Sequence, residues 1–450
     1  MYAVALTVQT ILLTLADLGL STELIRCEDP RSRAPTLAVL GLLSGGCITA
    51  VIALAAEPIA TALGSSEAGP VLRVLSLTLV LASAGVVPSA MLARRFDQKR
   101  LFLIAGADLT VNATVTISLV VAGWGPMALA LGRVCGQSTT LVLQFVLSGE
   151  RPRLGIDRQL VRPILAFSLP VAGANLLSWA LLGIDKIVLA RVGGAEALGY
   201  YVLAFTMSTW PMIAVAQTVR SVAMPAFAQV GGGTRDRTLA VAMAPTWALA
   251  VPCAGLLAVL AAPLVVVVYG PVWQPAAALL VPLAAFGGIR VGFDLLATYL
   301  LARGASVSVL VIQVGWFAAL VVAMYLGATR WGAAGAATAH VVVAVVLVLP
   351  AYLWTLRRVG ADLGALGRSV WQPVAAAVPA GGAAFLVARA VDGPLPALLL
   401  GGTVGGVLYL VMILRWLRRR IRRVGTERDR RALTTNPVSH RRRHTERSSR

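Results

Sequence analysis

Apolar runs of about twenty residues follow one another along nearly the whole 450-residue chain, separated by connections of only a few residues. Wound as a helix, a run of that length matches the roughly 30 Å hydrocarbon thickness of a bilayer. A soluble core has no use for so many of them. The composition agrees, with 58% of residues hydrophobic and 13% charged, against about 25% charged in an ordinary soluble domain. The strands of a closed barrel would alternate apolar and polar residues over about ten positions, and no segment does so. The chain is therefore expected to be an all-α polytopic membrane protein with about thirteen transmembrane helices, the first over 1–25 and the last two over 371–390 and 394–416.

Charge in the connections orients the spans. "CEDPRSRAP", "RRFDQKR", "ERPRLGIDRQLVR", "GGGTRDR", "ARGAS" and "RRVGADLGALGR" carry basic residues, whereas the alternate connections "GSSEAGP", "GWGP", "VGGAEALG", "YGPVWQP" and "VDGPLP" carry almost none. Basic loops stay in the cytoplasm, which places these six and the C-terminus there. Much of the net charge of +20 lies after Leu414, in "RWLRRRIRRVGTERDRRALTTNPVSHRRRHTERSSR". Directly after a span, such a tail is a solvated anchor for anionic lipid headgroups; no motif or interleaved aromatics point to nucleic acid. The outer connections are too short for an external catalytic domain, and no phosphate loop of the GxxxxGKS/T type is present to power a pump. Cys27, Cys47, Cys135 and Cys253 are scattered, and His340 stands alone in an Ala/Val run. No metal, cofactor or enzymatic activity is expected.

Two pairs of segments repeat. "YAVALTVQTILLTLADLGLSTELIR" from Tyr2 parallels "YVLAFTMSTWPMIAVAQTVRSVAMPAF" from Tyr201. "PVLRVLSLTLVLASAGVVPSAMLAR" from Pro70 parallels "PAAALLVPLAAFGGIRVGFDLLATYLLAR" from Pro275, both opening on Pro and closing on Leu-Ala-Arg. Parallel repeats are a transporter signature. They divide the chain into an N-terminal lobe of five helices over 1–148, a basic linker over 149–162 and a C-terminal lobe of six helices over 163–358. Two additional helices over 371–416 and a disordered basic tail over 417–450 follow. The second repeat has a helix before Tyr201 that the first lacks before Tyr2, so the plan is six plus six plus two with its first helix missing, as though the chain began too late.

The stretch 167–230, "FSLPVAGANLLSWALLGIDKIVLAR…AMPAFAQV", resembles the central signature of the bacterial polysaccharide flippases. These Wzx-type transporters belong to the multidrug/oligosaccharidyl-lipid/polysaccharide, MATE-like superfamily. "LADLGLSTELIR" and "VYGPVWQPAAALLVPLA" resemble the same pattern. The resemblance implies two pseudo-symmetric lobes and translocation of undecaprenyl-pyrophosphate-linked oligosaccharide across the cytoplasmic membrane. Partners would be that lipid-linked substrate, membrane lipids, and glycan polymerase or glycosyltransferase proteins. A multidrug or cation antiporter of the same superfamily, and a non-transporting scaffold of a glycan-synthesis complex, are the alternatives.

A flippase needs a polar groove and cations for phosphate oxygens, which the planar fork of Arg binds bidentately. Three helices carry polar residues on one face at steps of three, four and seven: Ser168, Asn175, Ser178 and Asp185; Thr206, Trp210, Gln217 and Arg220; and Thr10, Thr14, Asp17 and Ser21. Small polar residues also pack helix against helix, but charges inside a span are costly enough to mark function. The candidate substrate contacts are Arg220 foremost, with Gln217, Trp210, Asn175, Asp185 and Asp17. Arg290, which a pairing with Asp294 would satisfy, and Arg133, which has no local partner in the sequence, complete the set. Asp185 is expected to face the groove, its neighbour Lys186 to reach for the interface, and Pro170 to kink the helix that carries them.

Overall fold

The computed structural model describes residues 17–62, 68–151, 153–229 and 236–434, without the side chains of Ala62, Thr218, Arg220, Ser221 and residues 415–434. Tyr2, Thr10 and Thr14 lie outside the described residues. Helix is almost the only regular structure within them, and a lone β-bridge pairs Asp236 with Ala361. This is the economical answer in hydrocarbon, where each backbone N–H and C=O must be satisfied inside its own segment.

Elements α1 (Leu20–Arg26), α2 (Pro30–Leu54), α3 (Ala56–Ala62), α4 (Gly69–Ala84), α5 (Val86–Arg94), α6 (Gln98–Val121) and α7 (Pro126–Ser148) make the first lobe. The second comprises α8 (Arg158–Leu181), α9 (Ile184–Val192), α10 (Gly194–Gln229), α11 (Thr238–Val259), α12 (Ala261–Tyr269), α13 (Ala276–Ala302), α14 (Ser306–Val343) and α15 (Leu349–Arg358). Helices α16 (Leu363–Ala390) and α17 (Pro394–Thr434) pair with each other and lie against α11 and α12, so the two extra helices belong to the second lobe's flank. There Tyr409 donates to the Ala248 carbonyl at 2.8 Å.

Among the described residues nine helices are long and apolar enough to span, or ten if the bent pair α4–α5 counts as one. Three of the expected thirteen spans are not counted among these ten. Residues before Asp17 lie outside the description, and α7 carries Arg133, Gln137 and Gln144 through its apolar run. The spans expected over 306–327 and 332–356 form one continuous helical stretch that turns at Trp331 and at Gly332, whose φ is 59°. The 49° bend between α4 and α5 falls at Gly85. Pro88 supplies its cause, since its ring clashes with the carbonyl four residues back and it donates no hydrogen bond. At the C-terminus, helix α17 continues to Thr434 through the segment expected to be a disordered tail from 417. Arg is a good helix former, and no proline interrupts this run.

The repeat seen in the sequence is also a repeat in space. The segment that opens on Pro and closes on Leu-Ala-Arg is the central element of each lobe: α4–α5 packs against α2 and α7, and α13 against α10, α11 and α14. Around α13 lies the larger core, with Phe286, Phe293, Trp316 and Tyr352 interleaved edge-to-face and stacked, and Tyr299 edge-on to Phe227. In the first lobe, α6 and α7 approach closely at Gly132 and Gly136. A Cβ at Gly132 would sit 2.9 Å from the Asn112 carbonyl, and one at Gly136 would sit 2.6 Å from Asp108 Oδ1. This is the small-xxx-small seam by which membrane helices gain packing that lipid tails cannot provide.

The six basic connections gather at one end of the bundle and touch one another. Arg95 pairs with Glu150 at 2.6 Å, the Asp157 amide donates to Thr36 Oγ1 at 3.1 Å, and Arg237 pairs with Asp362 at 3.2 Å. Aromatic residues sit together in the sparsely charged connections, where Tyr200 and Trp273 meet edge-on with centroids 5.8 Å apart, as expected of an interfacial belt.

Candidate functional site

The lobes meet at the basic end through a polar seam. Glu23 of α1 is fully buried and holds Arg26 at 2.8 Å and Arg33 by its other oxygen. Such a carboxylate tolerates burial because two guanidiniums neutralise it and fill its lone pairs. Arg26 then lies 4.4 Å over the Phe167 ring of α8, across the lobe boundary, in cation–π contact. Arg94, at the end of α5, donates to the Ile25 and Cys27 carbonyls at 2.7 and 2.5 Å. It thereby caps the C-terminus of α1, where a cation also meets the negative end of the helix dipole. Its own carbonyl accepts from Gln229 Nε2 of the second lobe at 2.7 Å. Gly19 makes the closest approach. Its φ of 71° follows a φ of 47° at Leu18, and a Cβ there would lie 2.7 Å from the Val171 Cβ. Only a glycine lets the backbone leading into α1 pass this close to α8 at a positive φ.

The second lobe has the counterpart. Arg303, the last residue of the other Leu-Ala-Arg, donates to the Phe227 carbonyl near the end of α10 at 3.4 Å and pairs with Asp236. Tyr299 also donates to Asp236, at 2.7 Å. Burial pushes the Asp236 carboxyl up, but hydrogen bonds from Thr238, Tyr299 and Arg303 outweigh it and leave the group below its ordinary value. In both lobes, therefore, the arginine closing the central helix reaches backbone carbonyls at or near the C-terminus of a neighbouring helix, α1 in the first lobe and α10 in the second.

The residues singled out from the sequence fall into separate settings. Trp210 is 73% exposed, and Gln217 is exposed two turns further along α10. Arg220 follows on the same helix, with its side chain outside the described residues. Asn175 is half-buried on α8, and Asp17 is half-buried, accepting from Ser21 Oγ at 2.8 Å beside the bend at Leu18–Gly19. Arg133 has a partner that the sequence does not reveal: Asp108, 3.5 Å away across the α6–α7 seam. Arg290 and Asp294 are half-buried one turn apart on α13.

Asp185 resolves differently from the expectation of a groove-facing carboxylate on a helix kinked at Pro170. Helix α8 runs through Pro170 and stops at Leu181, and a new helix begins at Ile184. Asp185 is thus in the first turn of α9, where unpaired N–H groups and the positive dipole end favour an acid. It is completely buried and accepts the Lys186 amide at 2.8 Å, while the Lys186 side chain is exposed. Nearby, Tyr201 shares a hydrogen bond of 3.0 Å with His340, which lies 4.5 Å from the Phe286 ring. The polar group thus formed inside the second lobe joins residues 139 apart in sequence, and no periodicity announces it. The Glu23 seam was nearer to legibility, because the two Leu-Ala-Arg endings mark Arg94 and Arg303 as equivalent.

A family model described as polysaccharide biosynthesis protein matches residues 1–278. The succinoglycan biosynthesis transport protein ExoT of Rhizobium meliloti (strain 1021) is 25% identical over 434 residues, covering 94% of this chain and 87% of that protein. The lipopolysaccharide biosynthesis protein WzxC of Escherichia coli (strain K12) is 25% identical over 226 residues, covering 49% of this chain and 46% of that protein. Among solved structures, a MATE crystal structure in the straight conformation superposes with a TM-score of 0.66 at 17% identity, over 81% of this chain and 88% of that one. The lipid II flippase MurJ, in an inward closed conformation, gives 0.57 at 12% identity over 93% and 92%. Identities this low establish the shared fold alone. These relatives fit the expectation of a membrane transporter rather than an enzyme. With the family model spanning well over half of the residues, and a two-lobed helical membrane body beneath it, the chain belongs to the polysaccharide biosynthesis protein family.

Proposed function

We propose that this protein is a flippase that carries undecaprenyl-pyrophosphate-linked oligosaccharide across the bacterial cytoplasmic membrane by alternating access of its two lobes. The observation that carries the reading is the likeness, over 94% of the chain, to a protein named for succinoglycan biosynthesis transport. Fold alone would suit a multidrug exporter equally well. The basic end faces the cytoplasm together with the C-terminus, as expected where Arg-rich loops flank short apolar spans. The reading takes the lobes as 1–148 and 163–358 with the basic linker over 149–162 between them, the last five linker residues forming the first turn of α8, which begins at Arg158.

In the conformation described, the lobes are joined at the basic end, through Gln229 to Arg94 and Arg26 to Phe167. Loading from the cytoplasm requires these contacts to part, so the seam acts as the inner gate. Arg220 stands about two turns before the end of α10, the depth at which a phosphate entering from the inner leaflet would meet it. Trp210 and Gln217 extend an exposed stripe along the same helix toward the outer side.

The test is glycan export in a strain lacking its own flippase, with membrane levels matched between variants. Wild type restores export. Arg220→Lys keeps the charge but not the bidentate fork and exports at least tenfold less, as does Arg220→Ala. Normal export by both variants removes Arg220 as the phosphate contact. Failure of the wild type to restore any glycan export removes the flippase reading itself.

A further inference from the structure

A cavity of about 500 Å³ opens at the basic end of the first lobe, apart from the seam between lobes. It lies where α2 begins, α5 and α7 end, and the linker departs. Arg31, Arg95, Arg151 and Arg153 line it, with Met91 and Phe145 among its apolar walls. One acid, Glu150, lines it as well. Arg95 is committed to that acid at 2.6 Å and to the Ser148 carbonyl at 2.8 Å. Arg31, Arg151 and Arg153 are exposed and make no ion pair among the described residues, so three guanidiniums face a concavity with the local acid already neutralised.

A pocket of this size is in the range of small-ligand sites. It sits at the ends of α5 and α7, at Arg94 and Ser148, on the level of the basic connections, which is where the headgroup layer meets the hydrocarbon. Basic pockets between helices at that level recognise phosphate headgroups, and guanidinium forks match phosphate oxygens better than they match a lone carboxylate. The apolar side supplied by Met91 and Phe145 suits the first carbons of a chain attached to that headgroup. We propose that this pocket binds the phosphate headgroup of an anionic membrane amphiphile, held by Arg31, Arg151 and Arg153. The proposal stands on this pocket alone and does not require glycan transport.

The experiment titrates the purified full chain in neutral detergent with three phosphate probes and reads binding by microscale thermophoresis. The probes are short-chain phosphatidylglycerol, undecaprenyl phosphate and inorganic pyrophosphate, with short-chain phosphatidylcholine as the zwitterionic control. R31Q/R151Q/R153Q should weaken phosphate binding at least tenfold, because each Arg near an anionic headgroup contributes a few-fold in affinity. R441Q/R442Q/R443Q removes the same charge from the tail and should leave binding within twofold. All three pocket positions are exposed, so the first variant should elute and melt like wild type; Arg151→Gln alone, losing at least threefold, serves if it does not. Tighter binding of undecaprenyl phosphate assigns the pocket to the carrier lipid, equal binding of both lipids to the bulk leaflet, and binding of pyrophosphate alone to a soluble phosphate. Either lipid result, with the arginine dependence, upholds the proposal, whereas binding of pyrophosphate alone overturns the membrane amphiphile as its ligand. The proposal is overturned if no phosphate probe binds, if phosphatidylcholine binds as well as phosphatidylglycerol, or if the pocket and tail variants lose affinity equally.

Discussion

Glu23 offers the sharpest test of how the basic end is held. Its side chain is 0% exposed, while those of Arg26 and Arg33 are 27% and 29% exposed. The asymmetry sets the energies. Removing both arginines in R26A/R33A strands a buried carboxylate, and breaking a buried pair in this way costs about 3–5 kcal/mol. Glu23→Gln instead leaves two guanidiniums that can turn to water, so it should cost no more than a charge-assisted hydrogen bond, about 1.5–3 kcal/mol. Glu23→Gln placed in the R26A/R33A background should therefore recover stability, because the stranded charge is gone. The thermodynamic cycle predicts a coupling of about 2 kcal/mol or more between the carboxylate and its arginines. Unfolding of the purified protein in sodium dodecyl sulfate, followed by tryptophan fluorescence, gives the four free energies. Effects that add within about 0.5 kcal/mol, or a triple variant weaker than R26A/R33A, would refute the account of Glu23 as a neutralised buried charge.

Three further expectations follow from particular contacts. Gly132→Ala forces a Cβ to within 2.9 Å of the Asn112 carbonyl, and should cost about 1–3 kcal/mol by overpacking α6 against α7; the same unfolding assay measures it, and wild-type stability would mean the seam has slack. The Asp236 carboxyl lies below its ordinary 3.8 in the folded protein, so its contribution is complete above that value and is lost as pH falls through the depressed one. Asp236→Asn should melt lower than wild type at pH 6, with the gap closing toward pH 3, and a gap independent of pH would contradict this. Truncation after Arg423 removes a basic segment that follows the last apolar run in the sequence and should leave glycan export within twofold of the full chain at equal membrane level, whereas lost export with normal insertion would give the tail a role in transport.

Much of the architecture was legible because hydrophobic length and loop charge act locally. The six basic connections meet in space as their alternation along the chain implies, and the paired Leu-Ala-Arg endings serve the same capping role in both lobes. Breaks within helices were harder to place. Pro170 was the obvious candidate for a kink, but the break that repositions Asp185 comes later, where α8 ends at Leu181. That break has no proline in it: Leu182 and Gly183 separate the two helices, and glycine's weak helix propensity is a poor guide to where a helix stops. The partner of Arg133 was out of reach for a related reason, since Asp108 lies 25 residues away on another helix and only the glycine seam brings them together.

What the sequence by itself determined is the set of properties that each segment carries alone: that it is apolar enough to span, and which of its ends is basic. It also holds the internal repeat, because the two copies need no knowledge of each other to look alike. Tertiary structure decided which charges are spent and which remain available. Asp185 reads as a cavity residue until the helix break at Leu182–Gly183 puts it in a buried first turn. Glu23 is an unremarked acid near the end of the first expected span until Arg26 and Arg33 close over it, and Arg31, Arg151 and Arg153 read as plain topogenic charges until the linker folds back beside α2. The reason is that the cost of burying a charge depends on what surrounds it in three dimensions, and neighbours across a helix seam or a lobe boundary leave no periodic trace in the chain.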